Sequence, residues 1–246
     1  MARFGIIGGS GLYDYPGISI DEIREVETPY GTPSAPLRIG RLNNESVVFL
    51  PRHGEQHTIA PHRINYRANI SALQSVGVTH IIAAAAVGGI SEEQAPGTLS
   101  VPDQIIDYTH GREQSFYSDD FSADKHIDFT WPYDSALRQA LLNEGKHLNL
   151  RLVDKATYGA VQGPRLETAA EIRRMANDGC DLVGMTGMPE AYLAREAGIA
   201  YATLAVVANW AAGITDEVLT MEEINRTLAA GMDDVKAVIA GVIDRH

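Results

Sequence analysis

Residues 181–209 read DLVGMTGMPEAYLAREAGIAYATLAVVAN, and the order of elements written there sets the architecture. Residues 181–185 and 200–207 are apolar runs of strand length. Between them Pro189 suits the first turn of a helix, where its missing N–H costs nothing, and Gly198 suits the left-handed position just past a helix end. Strand, helix and strand in succession imply an α/β fold with a largely buried sheet.

The same alternation extends to both sides. Further strands are expected at residues 3–8, 37–39, 46–51, 79–87, 103–107 and 152–161. Thr168-Ala-Ala-Glu171 and Thr220-Met-Glu-Glu223 have the capping-box spacing, in which hydroxyl and carboxylate satisfy each other's orphan backbone donors. After the second box Ile224, Leu228, Met232, Val235, Ile239 and Val242 recur at helical spacing as one buried stripe. No repeat, low-complexity tract or Pro/Ser-rich linker interrupts the chain, so residues 1–246 are expected to form one domain.

With 246 residues, 45% of them hydrophobic, the chain can bury a large core without covalent staples. Its single cysteine, Cys180, cannot form an intrachain disulfide, and the histidines show no metal-ligand spacing. A reducing, cytoplasmic setting without a bound metal is therefore expected. The longest apolar run, residues 81–87, falls far short of the roughly 18 residues of a membrane span, and the N-terminus lacks a secretory pattern. A formal charge of −12 opposes nonspecific binding to nucleic acid. Any anion must be held by a local cluster of donors.

Five places offer such chemistry, each with a plainer reading beside it. Gly8-Gly9-Ser10-Gly11 follows the first strand, where backbone amides and the Ser10 hydroxyl can surround an anion; it is equally a structural turn. As a dinucleotide fingerprint it fails, because Asp14 holds the third glycine's place. Arg52-His53 brings a planar fork of donors and a further imidazole donor, or a surface Arg and a satisfied loop His. Met185-Thr186 sets a hydroxyl at a strand end. Asn209-Trp210-Ala211 offers an amide that can donate to one purine atom and accept from another, or simply a turn Asn. Glu167 can accept a base N–H or favour the positive end of the helix that follows. Ser10, Arg52, Thr186 and Asn209 all follow the C-terminal ends of expected strands, the edge at which open α/β sheets bind ligands.

Taken in order, GIIGGSGL, PRHGEQHT, NYRANISAL, QSFY, QGPRLET, DLVGMTGMPEAYLAREAGI and the last strand with its Asn resemble the trimeric purine nucleoside phosphorylase and methylthioadenosine phosphorylase family, from residue 5 to about residue 228. The resemblance implies a single-domain α/β/α fold with a mixed sheet flanked by helices. It also implies a homotrimer, a purine nucleoside substrate, and inorganic phosphate as co-substrate with no cofactor. Ser10, Arg52, His53 and Thr186 would hold phosphate. So would the strand position where the family has a Thr and the amide after it, here Ala85 and Ala86, so that a hydroxyl is missing. Met185 would pack on sugar and base, and His126 would reach a neighbouring subunit's site.

The base pocket narrows the expectation. Members acting on 6-aminopurines carry Asp-x-Asp where this chain has Asn209-Trp210-Ala211, and Glu167 matches the Glu with which 6-oxopurine members accept N1–H. Asn209 is thus the catalytic candidate beside N7. Met221 stands at the 5′-pocket position, where enzymes of 5′-hydroxyl substrates have His; by pattern alone it is a core residue of the last helix. The expected substrate is S-methyl-5′-thioinosine, with methylthioadenosine or inosine and guanosine as alternatives.

Overall fold

The computed structural model describes residues 4–9, 11, 12, 15, 17–216 and 220–245. The first half runs β1 (Phe4–Gly8), β2 (Ser19–Arg24), β3 (Leu37–Leu42), β4 (Glu45–Pro51), α1 (Tyr66–Ser75), β5 (His80–Gly89), β6 (Leu99–Val101) and β7 (Gln104–Asp107). The second runs α2 (Ser135–His147), β8 (Leu152–Asp154), β9 (Thr157–Ala160), α3 (Ala169–Asn177), β10 (Leu182–Gly184), α4 (Gly187–Glu196), β11 (Ala200–Trp210) and α5 (Met221–Arg245).

Among the described residues eleven strands form one mixed sheet, ordered β2-β3-β4-β1-β5-β10-β9-β7, from which β11, β6 and β8 branch beside β5. β5 is the hub, parallel to β1 and β11 and antiparallel to β10. Its apolar run explains why: Ile81, Ala83, Ala85 and Val87 enter one core cluster, and Ile82 and Ala84 the other. Alternation with period two sends successive side chains to opposite faces, and small Ala residues let neighbours pack close. One face packs against α1 and α4, the other against α2 and α5.

The helix signals act as expected. Thr168 and Glu171 exchange backbone hydrogen bonds at 2.8 and 3.2 Å at the start of α3. Thr220 accepts from the Glu223 N–H at 3.3 Å, and its hydroxyl donates to the Glu223 carboxylate at 2.9 Å. Leu228, Met232, Val235, Ile239 and Val242 form the buried stripe of α5. Such a stripe supplies most of a helix's stability in a protein.

Three features differ from expectation. β2 has every residue exposed and pairs only with β3, so it carries no inward-outward alternation to read. β6 is a strand of three residues that the pattern did not mark. Residues 152–161 divide into β8 and β9, which join different parts of the sheet; the break falls at Lys155, whose φ of 64° leaves extended geometry. At the far end of β11 the register with β5 shifts between Val207 and Asn209, which makes Ala208 the extra residue of a bulge. No helix among the described residues is long and apolar enough to cross a membrane.

Candidate active site

A cavity of about 480 Å³ lies where β1, β4, β5, β10 and β11 end. Arg52, His53, Ala86, Glu167, Met185, Thr186, Asn209 and Met221 all stand on its wall. Ser10 lies outside the described residues.

At one end the guanidinium of Arg52 is almost wholly buried. Its Nε and Nη2 donate to the two oxygens of Glu190 at 2.7 and 2.8 Å, and Nη1 donates to the Ala84 carbonyl at 2.9 Å. A guanidinium has five N–H groups, so two remain for a ligand. Burial works to lower the Arg52 pKa, but the charge and hydrogen bonds of Glu190 outweigh it and hold the pKa above its ordinary value. Tyr201 Oη donates to Glu190 at 2.8 Å and completes the buried network. Gly9 makes the close approach possible, since a Cβ there would lie 2.6 Å from the Ala84 oxygen and 2.9 Å from Arg52 Nη1.

His53 donates through Nδ1 within the protein and has no hydrogen there to spare for a ligand. That nitrogen lies 2.9 Å from the Ile59 carbonyl, which can only accept, so its hydrogen is already committed. Burial first, then the Arg52 charge and His57, push the ring down to about 4 against the opposing Ile59 bond. The ring is neutral at physiological pH, and Nε2 is an acceptor. Thr186 is buried beside it, with its backbone N–H 3.5 Å from Tyr158 Oη. Ala86 is on the wall. Ala85 is not; its methyl is packed in the core.

At the other end Asn209 Nδ2 donates to the Trp210 carbonyl at 2.6 Å, leaving Oδ1 and a second N–H for a ligand. The bulge brings Ala208 and Asn209 onto the wall together. Trp210 is half-buried and off the wall. Ala211, expected to touch substrate, instead packs with Ile90, Ile172, Met175, Cys180 and Val183. Burial raises the Glu167 carboxyl above its ordinary value, and the Glu171 charge adds to this. Met221 is no core residue: it is 63% exposed, stands at the start of α5 and lines the cavity with Ile224. The helical stripe misassigns it because a first-turn residue has no preceding turn to pack with. His126 is exposed, edge-on to Phe121 with ring centroids 5.1 Å apart, and off the wall of its own chain's cavity.

Arg112 ties the two walls together. Nη1 donates to the Met185 and Met188 carbonyls at 2.9 and 2.5 Å, and Nη2 to those of Val161 and Gln162 at 3.1 and 2.9 Å. Nε reaches Gln162 Oε1 at 3.1 Å. One side chain thus fixes the segment leading to Glu167 and the one carrying Met185 and Thr186.

The family model described as Phosphorylase superfamily matches residues 3–244. The chain belongs to the Phosphorylase superfamily. A probable S-methyl-5′-thioinosine phosphorylase from Xanthomonas campestris pv. campestris is 49% identical over 95% of this chain and 94% of its own. A 6-oxopurine nucleoside phosphorylase from Pyrococcus furiosus is 44% identical over 99% of this chain and 92% of its own. Among solved structures, a methylthioadenosine phosphorylase from Schistosoma mansoni in complex with adenine superposes with a TM-score of 0.94 at 31% identity, covering 100% of this chain and 92% of that one.

Two residues of this superfamily member escaped sequence reasoning. In the sequence Glu190 is simply the acid that follows Pro189. Its partner is 138 residues away, and no local spacing announces such a pair. Arg112 sits just before the QSFY motif, in a loop without periodicity.

Proposed function

We propose that this chain catalyses phosphorolysis of S-methyl-5′-thioinosine to hypoxanthine and 5-methylthioribose 1-phosphate, as a cytoplasmic homotrimer of one-domain subunits. The C1′–N9 bond breaks with its electron pair passing to the purine, and a phosphate oxygen forms the new bond to C1′. The hydrogen of hydrogen phosphate accounts for the proton the purine gains. Holding the two reactants in one cavity supplies much of the acceleration such a step needs, and fixed donors stabilise the charge that develops. Phosphate is the only co-substrate this chemistry requires; it uses no metal, cofactor or covalent intermediate.

Arg52, Thr186, Ser10 and the backbone at Ala85 and Ala86 would hold phosphate. Met185 would cover the sugar, Asn209 Oδ1 would accept from a protonated N7, and His126 would approach from a neighbouring subunit. The observation that carries the base assignment is that Glu167 and Asn209 share the cavity while residues 209 and 211 are not carboxylates. An ionised Glu167 accepts the N1–H of a 6-oxopurine, whereas adenine presents a lone pair to it. An unpaired buried group of this kind costs about 1–3 kcal/mol. The apolar pair Met221 and Ile224 supports a methylthio group at the 5′ end.

A second reading, a general 6-oxopurine nucleoside phosphorylase, is favoured by the exposure of Met221, which leaves the 5′ end open. The test is kcat/KM with methylthioinosine, methylthioadenosine and inosine in phosphate buffer. The first should be preferred. Preference for methylthioadenosine would overturn the base assignment, and preference for inosine the 5′ assignment.

A further inference from the structure

We propose that the anion end of the cavity recognises phosphate by its hydrogen, the P–OH group donating to Nε2 of His53. The site then takes hydrogen phosphate and its protonated analogues and disfavours tetrahedral dianions that have no hydrogen to give. This rests on the reading of phosphate as co-substrate and concerns which form of it the site selects.

The geometry starts at the far side of the ring. Nδ1 faces the Ile59 carbonyl at 2.9 Å and must carry the hydrogen there. His53 is buried and on the cavity wall, so Nε2 is the ring's remaining polar atom. Protonating it would set a second buried cation beside Arg52, which burial and the Arg52 charge both oppose. An anion oxygen without hydrogen would therefore meet Nε2 lone pair to lone pair. An oxygen bearing hydrogen makes a bond.

The surrounding charges leave this choice to the hydrogen bond. Arg52 is the cation of this end, and the Glu190 carboxylate on α4 already matches it at 2.7 Å. His57, with its ring centroid 4.6 Å from that of His53, is also pushed down by burial. Tyr66 on α1, Tyr158 on β9 and Tyr201 on β11 are held protonated by burial. Glu167, toward the base, adds no positive charge. Among the described residues the net positive charge falls short of any dianion, with or without a hydrogen, so the hydrogen bond to Nε2 is what tells the anions apart. The negative charge of the bound anion is matched only when the sugar becomes cationic, which places the stabilisation in the transition state.

Four anions of one shape test this. Phosphate and arsenate keep a hydrogen at neutral pH; sulfate and selenate do not. Isothermal titration of each into the whole enzyme should give phosphate and arsenate at least about tenfold tighter binding than sulfate and selenate, the order expected when a buried acceptor is left unpaired. In His53→Ala the gap should shrink to within about threefold, and in His53→Gln, which can present a carbonyl oxygen, part of it should return. Sulfate and selenate binding as tightly as phosphate to the wild-type protein would overturn the inference, as would an undiminished gap in His53→Ala. The wild-type comparison stands even where a variant fails to fold. The phosphorolysis reading fails separately, by the absence of nucleoside cleavage in phosphate or arsenate. Cleavage that sulfate inhibits as effectively as phosphate supports it would sink only the inference.

Discussion

The two ends of the cavity are built on opposite plans. The anion end is buried and already bonded within itself: Arg52 to Glu190 and Ala84, Glu190 to Tyr201, His53 to Ile59. The other end joins the bulged end of β11 to a loop and the first turn of a helix, with Leu166 and Met221 exposed. Fixed geometry suits the reactant common to every turnover, and a looser wall suits the one that differs between relatives. The substrates for which the relatives are named differ at that second end, in base and in 5′ group.

The contrast breaks most severely at Glu190. Replacing it with Ala leaves Arg52 buried without a counter-charge, which costs about 3–5 kcal/mol. Urea unfolding should show a loss of that order, and phosphorolysis should vanish. A Glu190→Ala protein of normal stability would show that the anion end is not braced as described. Next is acid. The His53 ring falls from an ordinary 6.5 to about 4 in the folded chain, so between those values the unfolded chain binds the extra proton. Stability is therefore full above the upper value and declines as pH drops toward the lower one, by up to about 3 kcal/mol. The slope that His53→Gln removes from a pH series of unfolding curves isolates this share.

Arg112→Lys probes the join between the ends. An ammonium cannot bridge four carbonyls held by a planar fork, so both walls loosen. Nucleoside kcat/KM should fall roughly a hundredfold, while the KM for phosphate changes much less, because Arg52 and His53 are held by other partners. An equal loss in both would contradict the division. The smallest effect belongs to Met221→Ala. Stability should stay within about 0.5 kcal/mol, and the preference for a methylthio over a hydroxyl substrate should narrow by about tenfold or less. An unchanged ratio would remove Met221 from the 5′ end.

How legible all this was in the sequence depended on how local the physics is. The capping box of Thr168, the stripe of α5 and the apolar run of β5 reflect interactions within a few residues, and they appeared where expected. β2 was hidden because an exposed edge strand needs no buried face. Lys155 gave no Gly or Asn signal for its left-handed backbone. In the site, Arg52, Thr186 and Asn209 were readable as polar residues at strand ends. Their partners were not: the Arg52–Glu190 bond and the Arg112 bracket are tertiary facts with no local periodicity.

The extra residue in β11 behaves like a frameshift written in space. Because side chains of a strand alternate, a shift of one step exchanges the two faces for everything beyond it. Asn209 owes its place in the cavity to Ala208 as much as to its own amide. Deleting Ala208 would keep all the chemistry of this end in the chain and turn it toward the wrong side of the sheet. This wall of the cavity is therefore specified by a count of residues as well as by their identities.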